Sequence, residues 1–129
     1  MRCPCRKRSE IVDYAHCCEP FHASAALPPT AEALMRSRYS AFALRNADYL
    51  LATWHPSTRP ATLALEPGTE WVQLRVLSAR QETETATVSF IARARSRPGG
   101  PVDELREASR FVREAGRWLY VDAATPPGA

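Results

Sequence analysis

Cys3, Cys5, Cys17 and Cys18 are the residues whose type and spacing most directly prescribe chemistry in this chain. They form two close pairs separated by a short polar arm, and four thiolates gathered in this way suit a tetrahedral Zn²⁺, which sulfur ligands close at about 2.3 Å with no open position. Four thiolates around a divalent ion leave two excess negative charges. Arg2, Arg6, Lys7 and Arg8 crowd the same segment, where they offset that charge and favour the thiolate form. His16 and His22 are alternative ligands. The competing reading is four unliganded thiols with Cys17 and Cys18 as a redox pair; the spacing matches neither ferredoxin pattern of an iron–sulfur cluster.

A second set of residues points to a pocket. At 100° per residue, a helix starting near Thr30 puts Ala31, Leu34, Met35 and Phe42 on one apolar stripe, with Arg38 in its middle. A guanidinium taken out of water must meet a carboxylate, a ligand or water. Glu107, which shares a strand face with Ser109 and Phe111, is the expected partner. Trp118, Tyr120 and Asp122 are expected to share a face on the next strand. Arg38, Tyr39, Trp54, His55, Glu107, Ser109 and Tyr120 are therefore the pocket candidates. As an enzyme, such a site would use His55 or a carboxylate as general base, with Arg38 holding an anion. The plainer readings carry more weight: His55, before a proline, as a loop residue bonding backbone groups; Arg38 with Glu107 as a structural pair; Trp54, Trp71 and Trp118 as core filler. No residue is assigned a catalytic role, and binding is preferred to catalysis.

The elements that position these residues can be read from periodicity and punctuation. Residues 1–22 form a cysteine-bearing knuckle, 23–29 a short Ala/Ser/Pro linker, 30–125 one folded domain and 126–129 a tail. Thr30 caps a helix from Ala31 to about Leu44, with Glu32 favouring the positive end of its dipole. Asn46 caps a second, short helix in which Ala47, Leu50, Leu51 and Trp54 recur at helical spacing until Pro56 stops it. The remainder alternates as strands do: Trp71–Leu77, with Val72, Leu74 and Val76 opposite Trp71, Gln73 and Arg75; Thr85–Arg95; Glu104–Glu114; and Arg117–Ala123 after a tight Ala115-Gly116 hairpin. Helices followed by four antiparallel strands give an α+β fold in which a curved sheet wraps the first helix.

Composition narrows the class. The chain has 129 residues, 45% of them hydrophobic, which fits one soluble domain plus a small appendage. No apolar run approaches the roughly 20 residues of a membrane helix, and MRCPCRKRSE has no apolar signal-peptide core, so a reducing cytoplasm is expected. Sixteen of the seventeen basic residues are arginine, but the net charge is only +3 and no aromatic-interleaved basic strip appears, which disfavours nucleic acid. Oligomeric state is not specified, although an exposed sheet face would suit a dimer.

CPC and CCEPFH resemble the SEC-C motif, whose usual form is CPCGSGKKYKKCC. The arm between the pairs is three residues longer here, and Arg6, Lys7 and Arg8 stand where the usual form has Gly-Ser-Gly. ALMRSRYSAF, ADYLLATWHPSTRP and SRFVREAGRWLYVD resemble the YchJ-like family of bacterial proteins, which pairs a SEC-C motif with a nuclear-transport-factor-2-like (NTF2-like) domain. The resemblance implies a cystatin-like cone, zinc on Cys3, Cys5, Cys17 and Cys18, and docking of the metal head on a partner protein or ribosome-associated surface. The alternative is a small-molecule enzyme or ligand carrier that uses the cone. If the knuckle is an independent appendage, chelation or deletion of residues 1–22 leaves the cone folded.

Overall fold

The computed structural model describes residues 1–7 and 9–124. Arg8 and the expected tail, residues 126–129, lie outside the described residues. After a single 3₁₀ turn, Tyr14–His16, come helices α1 (Glu19–His22), α2 (Ala31–Ala43) and α3 (Ala47–Ala52). They are followed by β1 (Glu70–Gln81), β2 (Thr85–Arg95), β3 (Val102–Glu114) and β4 (Arg117–Ala124). The strands form one antiparallel sheet in sequence order.

Helix α2 starts where Pro28 and Pro29 release the chain from preceding structure, and the Thr30 side chain caps it by accepting from the Ala33 amide. A second N-terminal amide, that of Ala31, donates to Gln81 Oε1 at the end of β1, tying the helix start to the sheet. Ala31, Leu34, Met35 and Tyr39 pack against Leu74, Val88, Phe90 and Phe111 from the sheet's concave face. Each fully buried side chain of this size contributes roughly 1.5–3 kcal/mol. The Asn46 side chain accepts from Tyr49 N and caps α3 as expected. That helix ends at Ala52, however, and Trp54 leaves it to form an isolated parallel bridge with Tyr120 on β4.

Two irregularities change which side chains face the cone. A register shift between Trp71 and Gln73 breaks the expected alternation of β1. Trp71 and Leu74 both turn inward, whereas Val72 is 37% exposed. The second lies between β3 and β4, where Phe111 pairs with Tyr120 but Arg110 pairs with Asp122. Asp122 therefore does not share a face with Tyr120. It turns to the outer side, where the Arg110 guanidinium donates to both its carboxylate oxygens at 2.6 Å. Between β3 and β4, Ala115 and Gly116 both have positive φ, at 52° and 79°, the backbone of a two-residue hairpin turn.

The knuckle is not an appendage. Cys3, Cys5 and Cys18 are each 1% exposed and belong to the same core as Leu34 and Met35 of α2. Ser37 and Ser40 are 0% exposed because the cysteine segment covers the back of α2 while the sheet covers its front. His22 fastens the two parts: its Nε2 donates to the Ser37 carbonyl at 2.8 Å, and its Nδ1 meets the Tyr14 hydroxyl at 2.6 Å.

Candidate functional site

Two sites are assembled around α2. The first is the cysteine cluster. The arm from Cys5 to Cys17 folds back through an antiparallel bridge of Arg2 with Asp13 and a bond from Cys3 N to Val12 O. The 3₁₀ turn and α1 then present Cys17 and Cys18 to the first pair. Four sulfurs lie within 4.8 Å of one another, with Cys3–Cys5 at 3.7 Å, Cys5–Cys17 at 3.6 Å, Cys5–Cys18 at 3.7 Å and Cys17–Cys18 at 4.0 Å. No pair is a disulfide. Sulfurs at the corners of a tetrahedron, each about 2.3 Å from a central ion, are separated by about 3.8 Å, so the cluster fits a thiolate-bound metal.

Its surroundings suit an anionic cluster. The Arg6 Nε donates to Cys17 Sγ at 3.3 Å, and that bond raises the guanidinium's pKa. Ser40 Oγ donates to Cys18 Sγ at 3.3 Å, and Arg36 binds the Cys5 carbonyl at 3.0 Å. Without a cation the sulfurs cannot all ionise: Cys18, whose thiol hydrogen-bonds Cys3 and Cys5, is pushed up, while Cys3, beside the Cys18 and Cys5 thiols, is held down. A bound divalent cation would ease that conflict by favouring the thiolate form of all four, leaving two excess negative charges for Arg6 and its neighbours to offset. His22 is occupied by Tyr14 and Ser37, and neither it nor His16 joins the four-sulfur cluster.

The second site is a cavity of about 280 Å³ between α2 and the concave sheet. Arg38, Tyr39, Trp54, Glu107, Ser109 and Tyr120 all line it. His55 does not: its backbone amide binds the Tyr120 carbonyl, its Nδ1 meets Ser57 Oγ at 2.7 Å and the Ser57 amide at 3.1 Å, and its Nε2 meets Glu114 at 2.8 Å. It anchors the 55–59 loop to the β3–β4 hairpin. Two walls that sequence reasoning treated as core or stripe, Trp71 and Phe42, also line the cavity. Their rings meet each other at 5.8 Å, and Trp71 meets Tyr39 edge-on at 5.6 Å.

Among the described residues Arg38 has no carboxylate partner. Its Nη1 donates to the Leu50 carbonyl at 2.8 Å and Thr53 Oγ1 at 2.7 Å, and its guanidinium carbon lies 4.5 Å from the centre of Tyr120 and 5.1 Å from that of Trp54. Glu107 makes no ion pair with it among the described residues, so the expected pair is not formed. Both charges are nevertheless felt by Tyr120, whose pKa is raised by burial and by Glu107 and lowered by Arg38. Burial pulls Arg38 down to about 10, which leaves it cationic at neutral pH, and pushes the carboxyl of Glu107 up. Trp54 Nε1 is buried without a partner.

Ser37 and Ser40, the small residues against which the cysteine segment packs, escaped the sequence reading because it followed apolar periodicity. The available signal was two small hydroxyl side chains three residues apart in the middle of the helix, compatible with a close approach.

A family model for the YchJ middle NTF2-like domain matches residues 30–123. A UPF0225 protein of Xanthomonas oryzae pv. oryzae is 53% identical over 124 residues, covering 94% of this chain and 92% of its own, and one of Deinococcus radiodurans is 48% identical, covering 95% and 88%. The solution structure of a SEC-C motif containing protein from Rhodopseudomonas palustris superposes with a TM-score of 0.85 at 35% identity, covering 98% of this chain and 99% of that one. A crystal structure of another SEC-C motif containing protein, from Psychrobacter arcticus, gives 0.78 at 27% identity, covering 98% and 84%. With its cysteine cluster and its helix-filled antiparallel cone, the chain belongs to the YchJ-like family, as a SEC-C-type cysteine knuckle joined to an NTF2-like domain.

Proposed function

We propose that this protein is a small-molecule-binding protein of the cytoplasm whose NTF2-like cone receives the ligand and whose four cysteines hold a structural Zn²⁺. The observation that carries the reading is Arg38: a guanidinium only 6% exposed, lying over the rings of Trp54 and Tyr120, with no carboxylate against it among the described residues. Burying a charge that only neutral groups meet is costly, and a stability argument gives no reason to retain it. A cavity with aromatic walls and a few convergent polar groups is the usual form of a ligand site.

Zinc is favoured by the four-sulfur donor set and closed tetrahedral spacing, which suit a structural ion with no coordination position left for chemistry. Such a site requires reduced thiols, hence the compartment. Among the described residues no helix is long and apolar enough to cross a membrane. Docking of the metal head on a partner protein or ribosome-associated surface ranks lower. Arg6, the basic residue best placed to serve it, is engaged by Cys17 and by Glu10 at 3.5 Å.

The test is a thermal-shift screen of metal-loaded protein against a metabolite library, run in parallel on Ala92→Trp, which fills the cavity. Compounds that stabilise the parent and not the filled variant support the reading. A screen in which no compound depends on the open cavity overturns it.

A further inference from the structure

The cavity is graded along β3. Its inward residues run from Leu105, 45% exposed, through half-buried Glu107 to Ser109 at 4% and Phe111 at 2%. Leu105 therefore marks the mouth and Phe111 the floor. Phe111 pairs in register with Tyr120, over whose ring Arg38 lies, so the cation is at the floor and Glu107 is four residues nearer the mouth. The two charged groups are too far apart to pair, and each faces the same aromatic enclosure.

A guanidinium carries five N–H donors. Nη1 makes two bonds, to Leu50 and Thr53, and the Nε and Nη2 donors bond no protein group among the described residues. Those remaining donors match the two oxygens of one carboxylate. Among the described residues that line the cavity no other is cationic, which argues against a dianionic phosphate. Trp54, Trp71, Phe90 and Tyr120 supply flat apolar walls, and about 280 Å³ is just below the size of a drug-sized pocket. At the mouth end, Glu107 supplies a hydrogen-bonding group without a protein partner among the described residues.

We infer that the cone binds a small aromatic monocarboxylate, with its carboxylate on Arg38 at the floor, its ring between the aromatic walls, and a hydroxyl or amino group at its far end bonded to Glu107. This rests on the reading of the cone as a ligand site and names the class of ligand. The carboxylate replaces water on a buried cation, and the ring fills the apolar middle. The polar far end specifies orientation, because a ligand lacking it leaves Glu107 unsatisfied.

The experiment titrates the zinc-loaded full chain with 4-hydroxybenzoate, 4-aminobenzoate, benzoate, phenol and benzyl alcohol, following tryptophan fluorescence and calorimetric heat. The expected order is 4-hydroxybenzoate and 4-aminobenzoate tightest, benzoate several-fold weaker, and the two neutral compounds at least tenfold weaker than benzoate. Arg38→Met should abolish the preference for acids over neutral compounds, while Glu107→Leu should abolish the advantage of the substituted acids over benzoate and leave benzoate itself unchanged or tighter. Arg110→Gln, on the outer side of the sheet and away from the cavity, should retain the full order, and the far-ultraviolet circular dichroism of each variant shows whether it is folded. Neutral compounds binding as tightly as the acids would overturn the carboxylate assignment while leaving the cone a ligand site. No binding of any compound, combined with an empty metabolite screen, would overturn both.

Discussion

Ser40 Oγ lies 3.3 Å from Cys18 Sγ and 3.5 Å from Cys3 Sγ, so the central helix of the cone hydrogen-bonds the sulfurs of the cysteine cluster themselves. The knuckle and cone consequently share one core, and a metal held by the cluster would act on the stability of both.

Removing the metal should therefore lower the melting temperature of the whole chain. If a chelator releases about one zinc per chain, as the four-cysteine set requires, the near-ultraviolet circular dichroism of the cone's tryptophans should be lost in the same transition as the knuckle. A chelated protein that keeps the full cone transition would show that the two parts are independent.

Ser40→Ala removes the only hydroxyl bonded to the cluster among the described residues, without removing a sulfur. Loss of a hydrogen bond to a buried sulfur is expected to cost about 1 kcal/mol in stability and about tenfold or more in metal affinity. Competition against a chromophoric chelator measures the second effect, and an unchanged affinity would contradict it.

Arg38 separates a structural arginine from a functional one by magnitude. Breaking a buried ion pair costs about 3–5 kcal/mol, because the partner is left charged and alone. Here no such partner is left behind, and removing the guanidinium relieves its own desolvation while forfeiting two hydrogen bonds to neutral groups. Arg38→Met should change unfolding free energy by only about 1 kcal/mol in urea denaturation. A loss of about 4 kcal/mol or more would mark Arg38 as structural.

Glu107 gives a pH signature. Burial raises its pKa above the usual 4.5, so between that value and its folded-state pKa the native chain binds more protons than the unfolded one, and stability falls as pH rises. Glu107→Gln removes this dependence. The variant should be more stable than the parent at pH 7, and the difference should shrink as pH falls through the folded-state pKa toward 4.5. A constant difference across that range would show that the carboxyl is not desolvated.

Ala115 occupies the left-handed region at φ 52° with no glycine to relieve it. Asparagine tolerates that backbone better. Ala115→Asn should raise stability by about 0.5–1 kcal/mol, read as an upward shift in melting temperature. Gly116→Ala, at φ 79°, should lower it even though a methyl group there would touch nothing within 4 Å.

Much of this architecture was written locally. Thr30 and Asn46 are caps because their side chains reach amides three residues on, and Pro28, Pro29 and Pro56 punctuate because a proline ring restricts its immediate neighbour. The cysteine pairs declare a metal site for a similar reason: within each pair the ligands are one or two residues apart, so proximity comes with the chain. Strand alternation in β2 and β3 was equally legible, being a property of successive residues.

The tertiary structure decided whatever depends on how distant segments meet. Val72 and Asp122 changed faces because bulges are set by a strand's partner, and Arg38 met Leu50, Thr53 and two aromatic rings rather than Glu107 because the depth of the cone, not the helical stripe, positions the two charges. His55 left the pocket when the loop swung onto Glu114, and the knuckle became core when two small serines let it approach α2. Spacing along a chain constrains neighbours within a few residues; which faces then touch is settled by packing volume and by the hydrogen bonds left to satisfy.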